Sequence, residues 1–337
     1  KIIKIILIVV PILIILLFLG YLKKYQQTIS EVETPSPSST SQKFTLGSGD
    51  HDFSLVHNGL ARNYKVHVPL SYDKKILTPV VIYLHGGGGS TKMAFRDGVD
   101  KYSDKFGFLL VVPAGTGIFQ DKLLTWNAGA WSTGSGSVEK CCGYAAENNM
   151  DDVGFVSKMI DKIKQDFNVN EKRIYSTGIS NGGMMSYVLA CELSSKIAAI
   201  APVAPPGTPK ECPASRPIPV MHIHGTADTC ALYNGGIGGG CFGTKKREGQ
   251  SAQKMVDIWK KINGCLPDFQ LSYTKGDASC VVYQGCKNGA DVEFCTIEGG
   301  GHTYPSGVQY FPVDKIGPVS YDISFDQIWE FFKKYPK

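Results

Sequence analysis

The sequence predicts an α/β fold, a mostly parallel central sheet with helices on both faces, and three observations carry that expectation. Strand-like apolar runs alternate with helix-like runs over most of the 337 residues, and alternation of this kind lays parallel strands side by side with helices as crossovers. Several strand-like runs are apolar nearly throughout, as strands buried on both faces are. One strand-like run leads directly into Gly178-x-Ser180-x-Gly182 and a helix-like stretch. That is a strand-to-helix turn too sharp for side chains on the two flanking positions.

Taken in order, the chain opens on Ile5 to Leu22, an apolar run of 18 residues broken only by Pro11 and Gly20, with Lys1 and Lys4 before it and Lys23 and Lys24 after it. The run is long enough to span a bilayer and longer than the usual apolar stretch of a signal peptide. Residues 1–24 are therefore read as a retained membrane anchor, with a cleaved signal sequence as the alternative. Residues 25–43 hold the Pro/Ser/Thr-rich stretch Thr34 to Gln42, a tether with nothing to bury. Residues 44–337 form the folded domain. Strand-like runs lie at Asn63 to Val68, Val80 to Leu84, Phe108 to Val112, Arg173 to Ser176, Ala198 to Val203, Val220 to His224 and Val292 to Ile297. Between them Val153, Val156, Ile160, Ile163 and Phe167 recur at helical spacing, and Ser251 to Ile262 and Asp322 to Phe332 read the same way.

Composition excludes some functions. The net charge is +5, but the lysines are scattered, so no nucleic-acid or polyanion partner is indicated. All ten cysteines lie in the folded domain; an even number behind an export-type N-terminus predicts a disulfide framework outside the cytoplasm. Zinc fails on spacing, because no paired C-x-x-C arrangement exists and the adjacent pair is Cys141-Cys142.

Ser180 on its turn has the setting of a nucleophile, and a serine hydroxyl needs a base and an acid that orients it. The base is His302, in Glu298-Gly299-Gly300-Gly301-His302-Thr303, after the strand-like run ending at Ile297. The acid is Asp228, in His224-Gly225-Thr226-Ala227-Asp228. All three fall beyond the C-terminal ends of predicted strands, where open parallel sheets build their sites. His85-Gly86-Gly87-Gly88-Gly89 follows Val80 to Leu84 and offers backbone N–H groups to an oxyanion. Gly87 is the favoured donor beside Asn181, with Gly86 as the alternative. His85 reads as a brace of that loop. His222 and His224 read as structural residues on one face of a strand, since a metal pair there lacks an evident third ligand. Singly, each motif has a plainer reading: a turn, a helix cap, a satisfied histidine. Their order along the chain is what joins them.

The segments Trp126-Asn127-Ala128-Gly129, Cys141-Cys142-Gly143-Tyr144-Ala145, Asp151-Asp152-Val153-Gly154-Phe155, the Ser180 elbow, His224 to Asp228 and Gly299 to Pro305 together resemble the secreted esterase family of polyhydroxybutyrate depolymerases and feruloyl esterases, over roughly residues 46 to 335. The resemblance implies an α/β-hydrolase fold, hydrolysis of carboxylic esters through an acyl-serine, a Ser180–Asp228–His302 triad, and no metal or organic cofactor. It favours a Cys191–Cys212 bridge; apart from the resemblance, Cys265–Cys286 and Cys230–Cys241 are further expected pairs. Two segments depart from the family pattern, Ala130 to Lys140 and the Gly-rich Gly235 to Gly243, and they leave the ester open between polyester and feruloylated or acylated polysaccharide. Trp126, Trp131 and Tyr304 are the residues that could line a cleft, with packing in the core as the plainer reading of each. A serine peptidase of the same fold and a catalytically inactive carbohydrate-binding relative are the alternatives. The oligomeric state is not legible.

Overall fold

In the computed structural model, residues 46–119, 121–238 and 246–337 are described; the anchor and the tether expected within residues 1–43 lie outside them, as does Cys241. The runs that are apolar at nearly every position become the middle of one sheet. In chain order the strands are β1 (Gly49–His57), β2 (Leu60–Val68), β3 (Thr78–Leu84), β4 (Leu109–Pro113), the short pair β5 (Ala130–Ser132) and β6 (Val138–Lys140), β7 (Val169–Ile179), β8 (Ala199–Val203), β9 (Val220–Gly225), the short pair β10 (Gly236–Ile237) and β11 (Glu248–Gly249), β12 (Phe269–Lys275), β13 (Ala278–Tyr283) and β14 (Val292–Ile297). Ten of them form a sheet in the order β1-β2-β4-β3-β7-β8-β9-β14-β13-β12.

From β4 to β14 every neighbour pair is parallel, whereas β1, β2, β13 and β12 add antiparallel edges. The parallel centre is covered on both faces. Val80, Ile82 and Leu84 of β3 point into one apolar layer with the helices Asp152–Asp166, Asn181–Glu192 and Ala252–Asn263. Val81 and Tyr83 point into the other, with Val99–Phe106 and Phe325–Lys334. This is the strict alternation of a pleated strand, and it explains why every residue of β3, β4, β8 and β9 is buried. The helix Asp152–Asp166 starts where Asp151 accepts from Gly154 N at 2.8 Å, an N-cap that satisfies one of the first-turn donors.

The structure differs from the sequence reading at the edges. β1, β12 and β13 were not expected, and β7 begins at Val169 rather than Arg173. β1 alternates half-buried and exposed positions, and β12 is mostly exposed, so neither presents an apolar run. The Ala130 to Lys140 segment folds into the β5–β6 hairpin. Among the described residues no helix is long and apolar enough to cross a membrane.

Disulfides join Cys191 to Cys212, Cys265 to Cys286, Cys280 to Cys295 and the neighbours Cys141 and Cys142. The first two match the expected pairs. Cys280–Cys295 was not expected; it ties β13 to β14 at a directly opposed register position. Cys230 is also disulfide-bonded. Cys191–Cys212 and Cys265–Cys286 each span 21 residues, and closing loops of that size is worth about 3 kcal/mol each. Reduction at neutral pH should therefore lower the thermal midpoint by several degrees, measured by calorimetry with and without a phosphine reductant. An unchanged midpoint after complete reduction would contradict these bridges.

Candidate active site

The turn after β7 is where the fold is tightest. Ser180 has φ 58° and ψ −120°, a region that L-residues avoid unless the surroundings impose it. The surroundings here are backbone. A Cβ on Gly178 or on Gly182 would run into the carbonyl oxygen of Leu84 at the end of β3, so glycine at both positions lets elbow and strand meet. Ser180 N donates to Val203 O at 2.9 Å, which pins the turn to β8. The hydroxyl is partly exposed and has no hydrogen-bond partner among the described residues.

The loop after β3 lies against this turn, the position of a Cβ on Gly86 being 3.6 Å from Ser180 Cβ. Gly88 N donates to Leu124 O at 2.9 Å and Gly89 N to Gly86 O at 3.0 Å. The amides of Gly86, Gly87 and Asn181 are without partners among the described residues, and Gly87 is exposed whereas Gly86 is buried. His85 is buried, its Nδ1 donating to Gly86 O at 2.8 Å and its Nε2 accepting from Gly115 N at 3.0 Å. Burial pushes its pKa down to about 4, against a small opposing effect of the Gly86 bond. The neutral ring is a fixed strut.

Asp228 stands beyond β9 and His302 beyond β14, and the two loops are laced together. Thr226 N donates to Ile297 O at 2.9 Å, Ala227 N to Gly300 O at 2.9 Å, and Gly299 N to Thr226 Oγ1 at 2.7 Å. Asp228 Oδ1 accepts from the amides of Cys230 and Ala231 at 2.7 and 2.8 Å. Oδ2 accepts from His302 Nδ1 at 2.7 Å, so the imidazole presents Nε2 away from the acid. Burial alone would raise the Asp228 pKa, but the charge of His302 and hydrogen bonds from His224 and His302 outweigh it and hold the carboxyl well below the usual carboxylate range. Tyr310 donates its hydroxyl to His302 O at 2.9 Å, and Thr177 on β7 meets the Tyr304 hydroxyl at 2.9 Å.

Trp126, Trp131 and Tyr304 do not open onto a cleft. Their exposures are 0 %, 0 % and 2 %, and each spends its polar atom internally: Trp126 Nε1 on His85 O at 2.9 Å, Trp131 Nε1 on Glu248 O at 3.0 Å, the Tyr304 hydroxyl on Thr177. Trp126 instead braces the loop after β3 and the start of the helix after Ser180. Its amide donates to Asn181 Oδ1 at 2.7 Å, and Asn181 Nδ2 returns a bond to Trp126 O at 3.1 Å. Asn181 Nδ2 also lies 3.6 Å from Cys141 Sγ. The exposed apolar side chains include Ile118, Phe119 and Leu123 on the loop that bridges to Gly89, and Val308, Phe311 and Val313 on the segment after His302. Sequence gave no periodic signal for the first three, since their loop belongs to no regular element.

No family model matches the chain. It is 36% identical over 183 residues to feruloyl esterase B of Piromyces equi, covering 53% of this chain and 32% of that protein; the chain thus spans about a third of that relative's length. Feruloyl esterase D of Neurospora crassa is 26% identical over 292 residues, 82% of this chain and 83% of the relative. The solved structure of an acetyl xylan esterase from Aspergillus awamori superposes with a TM-score of 0.56 at 12% identity, over 84% of this chain and 99% of that one. The chain therefore has homologues named feruloyl esterase and shares the α/β-hydrolase fold of solved esterases.

Proposed function

We propose that the protein is a serine carboxylesterase acting outside the cytoplasm on feruloylated or otherwise acylated polysaccharide. The observation that carries this reading is the pairing of His302 Nδ1 with a buried Asp228 at 2.7 Å, on the same sheet edge as the strained Ser180 turn. Because Nδ1–H is committed to the carboxylate, Nε2 is the basic nitrogen. It takes the Ser180 proton as Oγ attacks the ester carbonyl, and the amides of Gly87 and Asn181 receive the oxyanion. The protonated His302 then gives its proton to the leaving alcohol. Water, deprotonated by the same nitrogen, releases the acid and restores Ser180. The hydrogen bond from Ser180 to His302 belongs to the substrate complex, since catalytic contacts are commonly long in unliganded enzymes.

The homologues' names support a feruloyl or acetyl group on a polysaccharide, and the exposed Ile118, Phe119 and Leu123 beside the oxyanion loop suit an apolar acyl group. The disulfides support an oxidising compartment. A panel of methyl ferulate, p-nitrophenyl acetate, hydroxybutyrate oligomers and a peptide amide tests the reading. Hydrolysis of the first two and not of the amide is expected; preferential cleavage of the amide would replace it with a peptidase, preferential cleavage of the oligomers would move the substrate to polyesters, and no turnover of any would point to a binding protein.

A further inference from the structure

Behind Asp228 runs a line of buried polar groups that the proposed reaction does not use. His224 Nε2 is 2.7 Å from Ala231 O and 3.5 Å from Asp228 Oδ2. His224 Nδ1 is 3.1 Å from His222 Nε2, and His222 Nδ1 is 2.7 Å from the Tyr187 hydroxyl. Tyr187 and His222 are 0 % exposed and His224 1 %. One acceptor fixes all the roles. A carbonyl oxygen only accepts, so His224 Nε2 carries a proton; Nδ1 of the neutral ring accepts from His222 Nε2–H, and His222 Nδ1 accepts from Tyr187 O–H. A doubly protonated His224 would reverse His222 and leave the Tyr187 O–H without an acceptor among the described residues, which is costly in a core. Burial, with the neighbouring His224, pushes the His222 pKa well below its ordinary value, in agreement with a neutral ring there.

We infer that His224 is a positioning residue for Asp228, and that Tyr187 and His222 fix the tautomer through which it acts. This rests on the reading of Ser180, Asp228 and His302 as a triad. The His224 N–H straps the turn through Ala231 O, while the Cys230 and Ala231 amides hold Oδ1; Oδ2 is thereby aimed at His302. The same N–H places a partial positive charge 3.5 Å from Oδ2, moderating the pull of the carboxylate on the imidazolium. Among the described residues, the other titratable groups facing these two are His222 and the ring of Tyr233 against His224, and His302, whose carbonyl Tyr310 contacts, against Asp228.

The test measures turnover per active site, with sites counted by a phosphonate ester that labels the nucleophile. In His224→Leu, kcat per titrated site should fall by about tenfold with KM unchanged, and the acid limb of kcat/KM should move up by about half a pH unit, because His302 then faces a less moderated carboxylate. His224→Gln keeps an N–H near Nε2 and an acceptor toward His222, and should stay within about threefold of the unaltered protein with the limb in place. Tyr187→Phe removes the O–H that keeps His224 singly protonated; a doubly protonated His224 moderates Asp228 further, so the loss should be smaller and the limb should move down, opposite to His224→Leu. A side chain that merely packed would lower the fraction of titratable sites and leave per-site turnover and the limb unmoved. That result in His224→Leu, or in Tyr187→Phe should the leucine variant not fold, overturns the inference, as does a glutamine variant no better than leucine. Failure of the phosphonate to label Ser180 in the unaltered protein would instead overturn the triad.

Discussion

Replacing Ser180 with alanine should lower kcat for ester hydrolysis by several orders of magnitude while leaving the thermal midpoint within a few degrees of the unaltered protein. The loss is large because in the proposed reaction the hydroxyl forms the acyl bond, and what would remain is the weaker contribution of the oxyanion donors and of binding. The fold should persist because Ser180 Oγ has no hydrogen bond among the described residues to lose, and its turn is held by Ser180 N on Val203 O and by glycines packed on Leu84. Retention of more than about a tenth of the activity would remove Ser180 from the mechanism, since triad serines contribute far more than that.

Asp228→Asn should be nearly as severe, about 10⁴-fold in kcat, with KM little changed. An amide at this position would donate toward His302 Nδ1, so the imidazole would carry its proton on Nε2 and could not accept one from Ser180. The substitution also alters stability against pH. The native Asp228 carboxyl is held below its unfolded value, which is near pKa 3.9, so its stabilising contribution is complete above that value and is lost as pH falls below it. Acid unfolding followed by circular dichroism should therefore show a shallower loss of stability below about pH 4 in Asp228→Asn than in the unaltered protein. Equal slopes, or turnover like the unaltered protein's, would move the acid to another carboxylate.

The parts of this molecule that were legible in the sequence are those where one residue type answers one local demand. β3, β4 and β8 read as strands because burial on both faces asks for apolar residues at almost every position. The order of the Ser180, Asp228 and His302 segments was legible because each follows the end of a strand, β7, β9 and β14. The edge strands were not, since β12 and β1 meet solvent and mix polar with apolar residues. Long-range pairing was not legible either. Nothing in the sequence places Asn181 against Trp126, 55 residues away, and Cys280 opposes Cys295 only because of the register between β13 and β14. The aromatic residues were ambiguous in sequence, since a large ring can line a cleft or fill a core; the structure buries both, Trp126 against His85 and Trp131 on Glu248 O.

Covalent attachment at Ser180 during turnover is tested by peptide mapping after reaction with a phosphonate ester. One adduct per chain is expected, on the peptide containing Ser180, with esterase activity lost in proportion to labelling and no adduct in Ser180→Ala. A stoichiometric adduct on another residue, or full activity after Ser180 is completely labelled, would contradict it.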